Sequence, residues 1–321
     1  MNHMESRKKY TIGTDLGGTN TVFGIVDFDG NIVCEDSIKT QDYPQAEAFV
    51  EAGCICIMAL VDKVGGIELI AGMGIGAPNA NYYTGCIEQA PNLPWKGTVP
   101  LANLFNKRLG IPVKLTNDAN AAAMGEMKYG AAKGMNDFIE ITLGTGVGSG
   151  IVANGQLIYG HDGFAGELGH VIIDRSENAR LCGCGRKGCL EAYCSAPGIV
   201  RTAKEYLKNE TIPSDLRSIP LEDITAYAVS KAAHAGDELA IKVFEHTAEL
   251  LGKACADFAA FSSPEAFIFF GGPMKSADLL MPTIIETYND EVLPVFRGKA
   301  KFIVSSLMDR NSAVLGAAAL V

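Results

Sequence analysis

The sequence is poor in positive charge and contains no long apolar run. It has 27 lysines and arginines against 37 aspartates and glutamates, so its formal net charge is −10. A nucleic-acid-binding protein normally carries a basic patch, and this balance argues against one. No stretch approaches the ~18 uninterrupted apolar residues of a membrane-spanning helix, and polar residues rather than an apolar signal segment open the chain. We therefore expect a cytoplasmic protein that binds neither nucleic acid nor membrane.

An internal repeat indicates a duplicated domain. The stretches 10–33 and 137–160 share one layout: a β-rich run, a glycine-rich turn, a strand containing "GIV", an Asp-Gly or Asn-Gly turn and a third strand. Each stretch predicts a three-stranded antiparallel meander. Helical patterns follow both copies, and the length of 321 residues favours two lobes. We expect the two glycine turns to face each other across a cleft.

Glycine-rich turns in both copies have the composition of a phosphate-binding site. The stretch "DLGGTN" ends one strand-like run, and "LGTGVGSG" ends its counterpart. Glycine lets a phosphate approach the backbone, whose N–H groups can then donate to it. A single turn of this kind would more simply be a hairpin, but two could grip a polyphosphate from both sides. Asp15 could hold Mg²⁺ through water. Gly271 and Gly272 in "FFGGP" could lie against adenosine or form a plain strand-to-helix turn.

Two polar residues stand where a strand-like run meets an alanine-rich helix. In "LTNDANAAAMGE" these are Asn117 and Asp118, and either side chain could cap the helix by accepting from its free N–H groups. A carboxylate at such a helix start, near a bound polyphosphate, could also accept the proton of a substrate hydroxyl, as phosphoryl transfer requires. We predict that one of the two residues caps the helix and that Asp118 is the candidate base.

Four of the nine cysteines cluster in "LCGCGRKGCLEAYC". In a reducing compartment a disulfide is disfavoured, and a Cys-x-Cys pair is awkward to bridge. The spacing His170-x11-Cys182-x-Cys184-x4-Cys189 supplies one imidazole and three thiolates, a set that suits tetrahedral, structural zinc. The metal would stiffen the carboxylates on either side of it and aim them at a ligand rich in hydroxyl groups. These carboxylates are Glu167 and Glu191.

Taken in order, the motifs resemble those of the ROK (repressor, open reading frame, kinase) family of sugar kinases. They are "DLGGTN", "APNLPW", "NDANAAAMGE", "LGTGVGSG", "GELGH" and "CGCGRKGCLE". The resemblance implies an α/β protein with the two-lobed, actin-like ATPase fold, built from duplicated ribonuclease H-like domains around a central cleft. It places a small N-terminal lobe at 1–116 plus about 309–321, and a large lobe with the zinc loop at 117–308.

The resemblance also implies roles for individual residues. Asp118 would take the proton from the 6-hydroxyl of a sugar. The residues that would bind the sugar are Asn92, Asn117, Asp118, Glu167, His170 and Glu191. Those that would bind ATP and its phosphates are Asp15, Gly17, Gly18, Thr19, Gly144, Thr145, Gly271 and Gly272. The chain departs from many relatives at Asn20, where they have lysine, and at "GAPN" in 76–79, near the sugar.

The function expected from this resemblance is ATP-dependent phosphorylation of glucose to glucose 6-phosphate, with Mg²⁺ and structural Zn²⁺, in a homodimer or homotetramer. An N-acetylhexosamine or fructose kinase is the alternative enzyme, and polyphosphate is an alternative donor. A sugar-sensing repressor of the family would need a helix-turn-helix module before the first glycine turn. Only fourteen residues precede Asp15 here, so we expect an enzyme.

Overall fold

The computed structural model of the protein describes residues 8–308 and 310–321. Its strands are β1 (Tyr10–Leu16), β2 (Asn20–Asp27), β3 (Ile32–Lys39), β4 (Ile70–Gly76), β5 (Ala80–Asn81), β6 (Cys86–Glu88), β7 (Thr98–Val99), β8 (Val113–Thr116), β9 (Phe138–Leu143), β10 (Val147–Ala153), β11 (Gln156–Leu157), β12 (Ala266–Phe270) and β13 (Lys301–Val304). Its helices are α1 (Ala46–Lys63), α2 (Leu101–Leu109), α3 (Asp118–Tyr129), α4 (Glu191–Cys194), α5 (Ala196–Asn209), α6 (Ala226–His234), α7 (Glu238–Ser262), α8 (Ala277–Glu291) and α9 (Ser312–Ala318).

The chain divides into two compact units. The first comprises the described residues of Met1–Met135 with Leu157–Gly166 and Ser306–Val321, and the second comprises Asn136–Gln156 and Glu167–Ser305. Helix α3 belongs to the first unit, whereas the sequence-based boundary at 117 assigned it to the large lobe. The lobe limits of 1–116 plus about 309–321 and 117–308 stay a prediction.

The first unit is built on a five-stranded sheet with the order β3-β2-β1-β4-β8. β1, β2 and β3 pair antiparallel, as the meander pattern predicts, and β4 and β8 add parallel strands. Helix α9 packs closely on β1, since a Cβ atom on Gly13 would lie 2.0 Å from the carbonyl oxygen of Val314. Phe49 and Phe105 are fully buried in the apolar core of this unit.

The second unit repeats this sheet order as β11-β10-β9-β12-β13. β9 and β10 are antiparallel, and β12 pairs parallel with both β9 and β13. The predicted duplication is therefore confirmed in the order of the strands and in the direction of these pairs. The aromatic rings of Phe267, Tyr288 and Phe302 pack against one another beside this sheet.

The two helices expected around Gly236 are α6 and α7. Asp237 caps α7 by accepting a hydrogen bond from the N–H of Ala240 at 2.9 Å, and the helix ends at Ser263, which has a left-handed φ of 48° before Pro264. The break and the stop therefore fall where the sequence predicted them. In the described part of the chain no helix has both the length and the apolarity needed to cross a membrane.

Candidate active site and metal site

The first glycine turn joins β1 to β2 and is held by the segment that follows β3. The hydroxyl of Thr40 donates to the carbonyl oxygen of Gly17 at 2.8 Å, and the N–H of Thr40 donates to the carbonyl oxygen of Thr19 at 2.8 Å. The side-chain amide of Gln41 donates to the carbonyl oxygen of Gly18. Because the protein engages these carbonyl groups, the turn has a defined shape and an exposed tip at Thr19.

The predicted sugar residue Asn92 lies beside this turn. A Cβ atom on Gly18 would stand only 2.8 Å from the carbonyl oxygen of Asn92, so glycine is required by close approach. The Gln41 amide lies 3.4 Å from the same oxygen and links the two segments. The first turn and a candidate sugar-binding segment are therefore in direct contact.

Two carboxylates predicted for the chemistry, Asp15 and Asp118, lie close together in the first unit. Asp15 stands near the end of β1 and pairs with Gly76 of β4, where an added Cβ atom would lie 3.7 Å from the Cα of Asp118. Burial and, to a smaller extent, the charge of Asp118 raise the pKa of Asp15 to about 6. A cation bound beside Asp15 would offset both effects.

Asn117, not Asp118, caps helix α3. The side-chain oxygen of Asn117 accepts a hydrogen bond from the N–H of Asn120 at 2.7 Å. One oxygen of Asp118 accepts from the N–H of Ala119 at 2.8 Å, and the residue is exposed. Of the two residues that could cap the helix, the structure assigns this function to Asn117. The carboxylate of Asp118 remains accessible to a substrate, whereas only the NH₂ group of Asn117 is free of the cap.

The second glycine turn joins β9 to β10 and is held differently. The N–H of Gly144 donates to the carbonyl oxygen of Gly146 at 2.9 Å. The N–H of Ala196, at the start of α5, donates to the carbonyl oxygen of Gly144 at 2.9 Å. The N–H of Val147 donates to a carboxylate oxygen of Glu191 at 3.1 Å. A candidate sugar-binding carboxylate thus supports a candidate phosphate-binding turn.

The double glycine at 271–272 lies next to the second turn. Gly271 has a φ of 108°, and a Cβ atom there would stand 2.0 Å from the carbonyl oxygen of Leu143, the last residue of β9. Gly272 opens the 3-10 helix Gly272–Ser276, and a Cβ atom on it would meet nothing within 4 Å. The first glycine is therefore required by the backbone, while the second presents an open surface.

The four predicted metal ligands converge in the second unit. The ligand atoms of His170, Cys182, Cys184 and Cys189 all lie within 4.8 Å of one another. The Sγ of Cys182 is 3.8 Å from the Nδ1 of His170, and the Sγ atoms of Cys184 and Cys189 are 3.6 Å apart. Around a tetrahedral zinc ion, with Zn–S bonds of about 2.3 Å, neighbouring ligand atoms are roughly 3.6–3.8 Å apart. The donor set and its spacing therefore fit zinc.

The imidazole of His170 lies between the thiol of Cys182 and a carboxylate. Its Nδ1 faces Cys182, while its Nε2 lies 4.0 Å from an oxygen of Glu167. A metal on Nδ1 would leave Nε2 available to a ligand next to that oxygen. This geometry fits the prediction that His170 serves the metal and the sugar through different nitrogens.

Arg180 is an important residue that the sequence analysis missed. Only 6% of it is exposed, and its guanidinium stacks over the ring of Tyr193 at 4.4 Å. It donates to the hydroxyl of Thr202 at 2.9 Å and pairs with Glu205. Arg180 therefore ties the start of the cysteine loop to α4 and α5. Its position two residues before the first clustered cysteine was the only signal in the sequence.

A second missed feature is the docking of Leu157–Gly166 within the first unit. The rings of Tyr82 and Tyr159 stack with their centroids 4.0 Å apart and their planes 8° apart. The side-chain amide of Asn81 donates to the carbonyl oxygen of Asp162 at 2.8 Å. These contacts anchor the segment that leads directly into Glu167.

The predicted sugar residues divide equally between the two units. The first unit holds Asn92, Asn117 and Asp118, and the second holds Glu167, His170 and Glu191. The predicted phosphate and adenosine residues divide in the same way. The first unit holds Asp15, Gly17, Gly18 and Thr19, and the second holds Gly144, Thr145, Gly271 and Gly272. The roles of these residues stay predictions.

Comparison with known proteins places the chain in a family. A family model described as the ROK family matches residues 11–321. A glucokinase of Thermotoga maritima is 34% identical over 97% of this chain and 96% of its own, and one of Streptomyces coelicolor is 36% identical over 97% and 96%. A crystal structure of a ROK family glucokinase from Streptomyces griseus, in complex with glucose and AMPPNP, is 35% identical, covers 97% of this chain and 99% of its own, and superimposes with a TM-score of 0.77. These likenesses confirm the predicted α/β, actin-like ATPase fold. The chain belongs to the ROK family.

Proposed function

We propose that the protein phosphorylates the 6-hydroxyl of a hexose with ATP and that the hexose is glucose. The observation that carries this proposal is the exposed carboxylate of Asp118, which lies at the start of a helix capped by its neighbour and close to Asp15 at the first glycine turn. Near-full-length similarity to two glucokinases, and to a ROK glucokinase solved with glucose and AMPPNP, supports the same activity.

In this mechanism the chain's own groups position the reactants and move one proton. Asp118 accepts the proton of the 6-hydroxyl as that oxygen attacks the terminal phosphorus of ATP, and ADP leaves. The backbone N–H groups of Thr19 and Thr145 donate to the phosphates, since those of Gly17 and Gly144 already donate within their own turns. Mg²⁺, held through water by Asp15, would neutralise charge on the phosphate oxygens. Gly271 and Gly272 border adenosine in this proposal.

We infer that the metal set binds structural zinc. Three thiolates and one imidazole complete a tetrahedral site and leave no position for substrate, so the ion would fix the loop rather than take part in the reaction. It would hold the Nε2 of His170 and the carboxylates of Glu167 and Glu191 for the hydroxyl groups of the sugar. Assembly as a homodimer or homotetramer stays a prediction, which light scattering tests. A cytoplasmic location also stays a prediction, which cell fractionation tests.

A donor-by-sugar kinase assay tests the proposed activity. The sugars are glucose, mannose, fructose, N-acetylglucosamine and N-acetylmannosamine, and the donors are ATP and polyphosphate, each with Mg²⁺. We expect the highest kcat/KM for glucose with ATP. A higher value for an N-acetylhexosamine or fructose would select the alternative enzyme, and a higher value for polyphosphate would change the donor. Sugar binding without any phosphorylation would overturn the proposed kinase activity and would favour a sugar-sensing protein.

A further inference from the structure

Glu191 has contacts on both of its carboxylate oxygens. Oε2 accepts a hydrogen bond from the backbone N–H of Val147 at 3.1 Å, directly after the second glycine turn. Oε1 lies 3.4 Å from the Sγ of Cys182, one of the metal ligands. One side chain therefore connects the cysteine loop to the first residue of β10.

The glycine at 146 makes this contact possible. A Cβ atom on Gly146 would lie 2.5 Å from the Oε2 of Glu191, too close for both to keep their positions. A Cβ atom on Gly144, in the same turn, would meet nothing within 4 Å. Neither glycine has a left-handed φ, so alanine at either position is not strained by the backbone angle.

The 3-10 helix Leu168–His170, which carries the imidazole ligand, packs on the same strand. A Cβ atom on Gly169 would stand 1.9 Å from the carbonyl oxygen of Val147. The N–H of Leu168 donates to the hydroxyl of Ser149 at 3.2 Å. The segment that carries His170 is therefore held against β10 by its own contacts, independently of Glu191.

We propose that Glu191, besides contacting the sugar, is the positioning residue of the second glycine turn and couples sugar binding to nucleotide binding within the second unit. This inference rests on the proposed function, in which Glu191 accepts a hydrogen bond from a sugar hydroxyl. The carboxylate is then shared between the sugar and the N–H of Val147. A change in the orientation of this carboxylate therefore changes the conformation of the second glycine turn. Such coupling acts equally in both directions.

The first experiment measures nucleotide affinity by calorimetry without sugar, using AMPPNP with Mg²⁺. A residue that served only the sugar would have no effect on this measurement. We expect Glu191→Ala to weaken binding about tenfold, the usual effect of losing a hydrogen bond to a charged group. Glu191→Gln keeps an oxygen that can accept from Val147 and should stay within about threefold of the wild type. Wild-type affinity in Glu191→Ala, with glucose binding lost, would overturn the proposal.

The second experiment measures glucose affinity without nucleotide in Gly146→Ala, alone and combined with Glu191→Ala. Gly146→Ala forces Glu191 away and should weaken glucose binding about fivefold or more. In the Glu191→Ala background the added atom meets no carboxylate, so Gly146→Ala should weaken glucose binding no further. Wild-type glucose affinity in Gly146→Ala would contradict the coupling.

Metal content and thermal unfolding of each variant establish that the loop is intact. If Gly146→Ala does not fold, the two Glu191 variants decide the question by themselves. The two proposals can also fail separately. Absence of sugar phosphorylation by the wild type would overturn the proposed function, whereas the two binding measurements test the coupling without any turnover.

Discussion

The two glycine turns occupy the same place in two sheets of the same strand order, but different groups support them. In the first turn, Thr40 and Gln41 donate to the backbone carbonyl groups of Gly17 and Gly18. In the second, the carboxylate of Glu191 accepts from the backbone N–H that follows the turn. The duplication preserved the path of the backbone, while the supporting side chains diverged. Among the described residues, the segment that carries the candidate metal ligands supports the second turn and not the first.

A second difference lies where the last strand of each sheet meets a helix. Asn117 caps α3 after β8, and Asn311 caps α9 after β13 by accepting from the N–H of Val314 at 3.4 Å. The residue after the cap is Asp118 at the start of α3 and Ser312 at the start of α9, and both helices belong to the first unit. The asparagine cap is therefore common to the two helices, whereas only α3 has a carboxylate after it.

The largest expected effect comes from removing that carboxylate. Asp118→Asn should lower kcat by about 10²–10⁴-fold, the usual contribution of a general base, while Asn117 still caps the helix. Steady-state kinetics and glucose titration measure both effects, and glucose binding should be largely retained. The matched control is Ser312→Ala, at the corresponding position of α9, which should stay within about twofold of the wild-type kcat. Near-normal turnover in Asp118→Asn would remove this residue as the base.

The next effect tests the proposed zinc site beside the second glycine turn. Cys184→Ser should lose the bound ion and weaken glucose binding about 10–100-fold, because the groups held by a metal lose their orientation. Cys86→Ser, at a half-buried cysteine outside the metal set, is the control and should keep one zinc ion per chain. Elemental analysis and calorimetry measure these quantities. Full glucose affinity in a metal-free protein would contradict the supporting role of the ion.

The free energy of unfolding should depend on pH through Asp15, beside the first glycine turn. The pKa of Asp15 is about 6 in the folded protein against 3.8 in the unfolded chain, so the folded state holds the proton more tightly. The free energy of unfolding should therefore fall as pH rises from about 4 to 6, by at most about 3 kcal/mol. Urea unfolding across this range should show the decrease in the wild type and a flatter profile in Asp15→Asn. The second copy has Thr142 at this position, which does not titrate.

The smallest effect compares alanine in the two turns. Gly18→Ala pushes against the carbonyl oxygen of Asn92 and should lower the free energy of unfolding by about 1–2 kcal/mol, as other overpacking substitutions do. Gly144→Ala has open space and should leave the unfolding midpoint in urea unchanged. Equal losses in both variants would mean that close packing does not distinguish the two turns.

Features encoded by neighbouring residues could be predicted from the sequence. The repeated meanders, both glycine turns and the convergence of His170 with the cysteines depend on short-range patterns of turn residues and ligand spacing. The choice between Asn117 and Asp118 as the cap could not be predicted, because both residue types favour that position.

Features made by distant parts of the chain were not predictable from one sequence. The burial of Arg180 requires Thr202 and Glu205 from α5, and the stack of Tyr82 on Tyr159 joins segments that lie far apart in the sequence. The contact of Glu191 with Val147 depends in the same way on tertiary packing. Nothing in the local sequence marks these side chains, because long-range packing alone brings their partners to them.

The docking of α9 on β1 has a consequence for biosynthesis. The groove that Gly13 leaves for Val314 is filled by a helix that is synthesised only after the strands of both five-stranded sheets. The first sheet therefore keeps one face uncovered until α9 has been made. A shortened messenger that encodes the first 135 residues would yield a sheet with that apolar face in water.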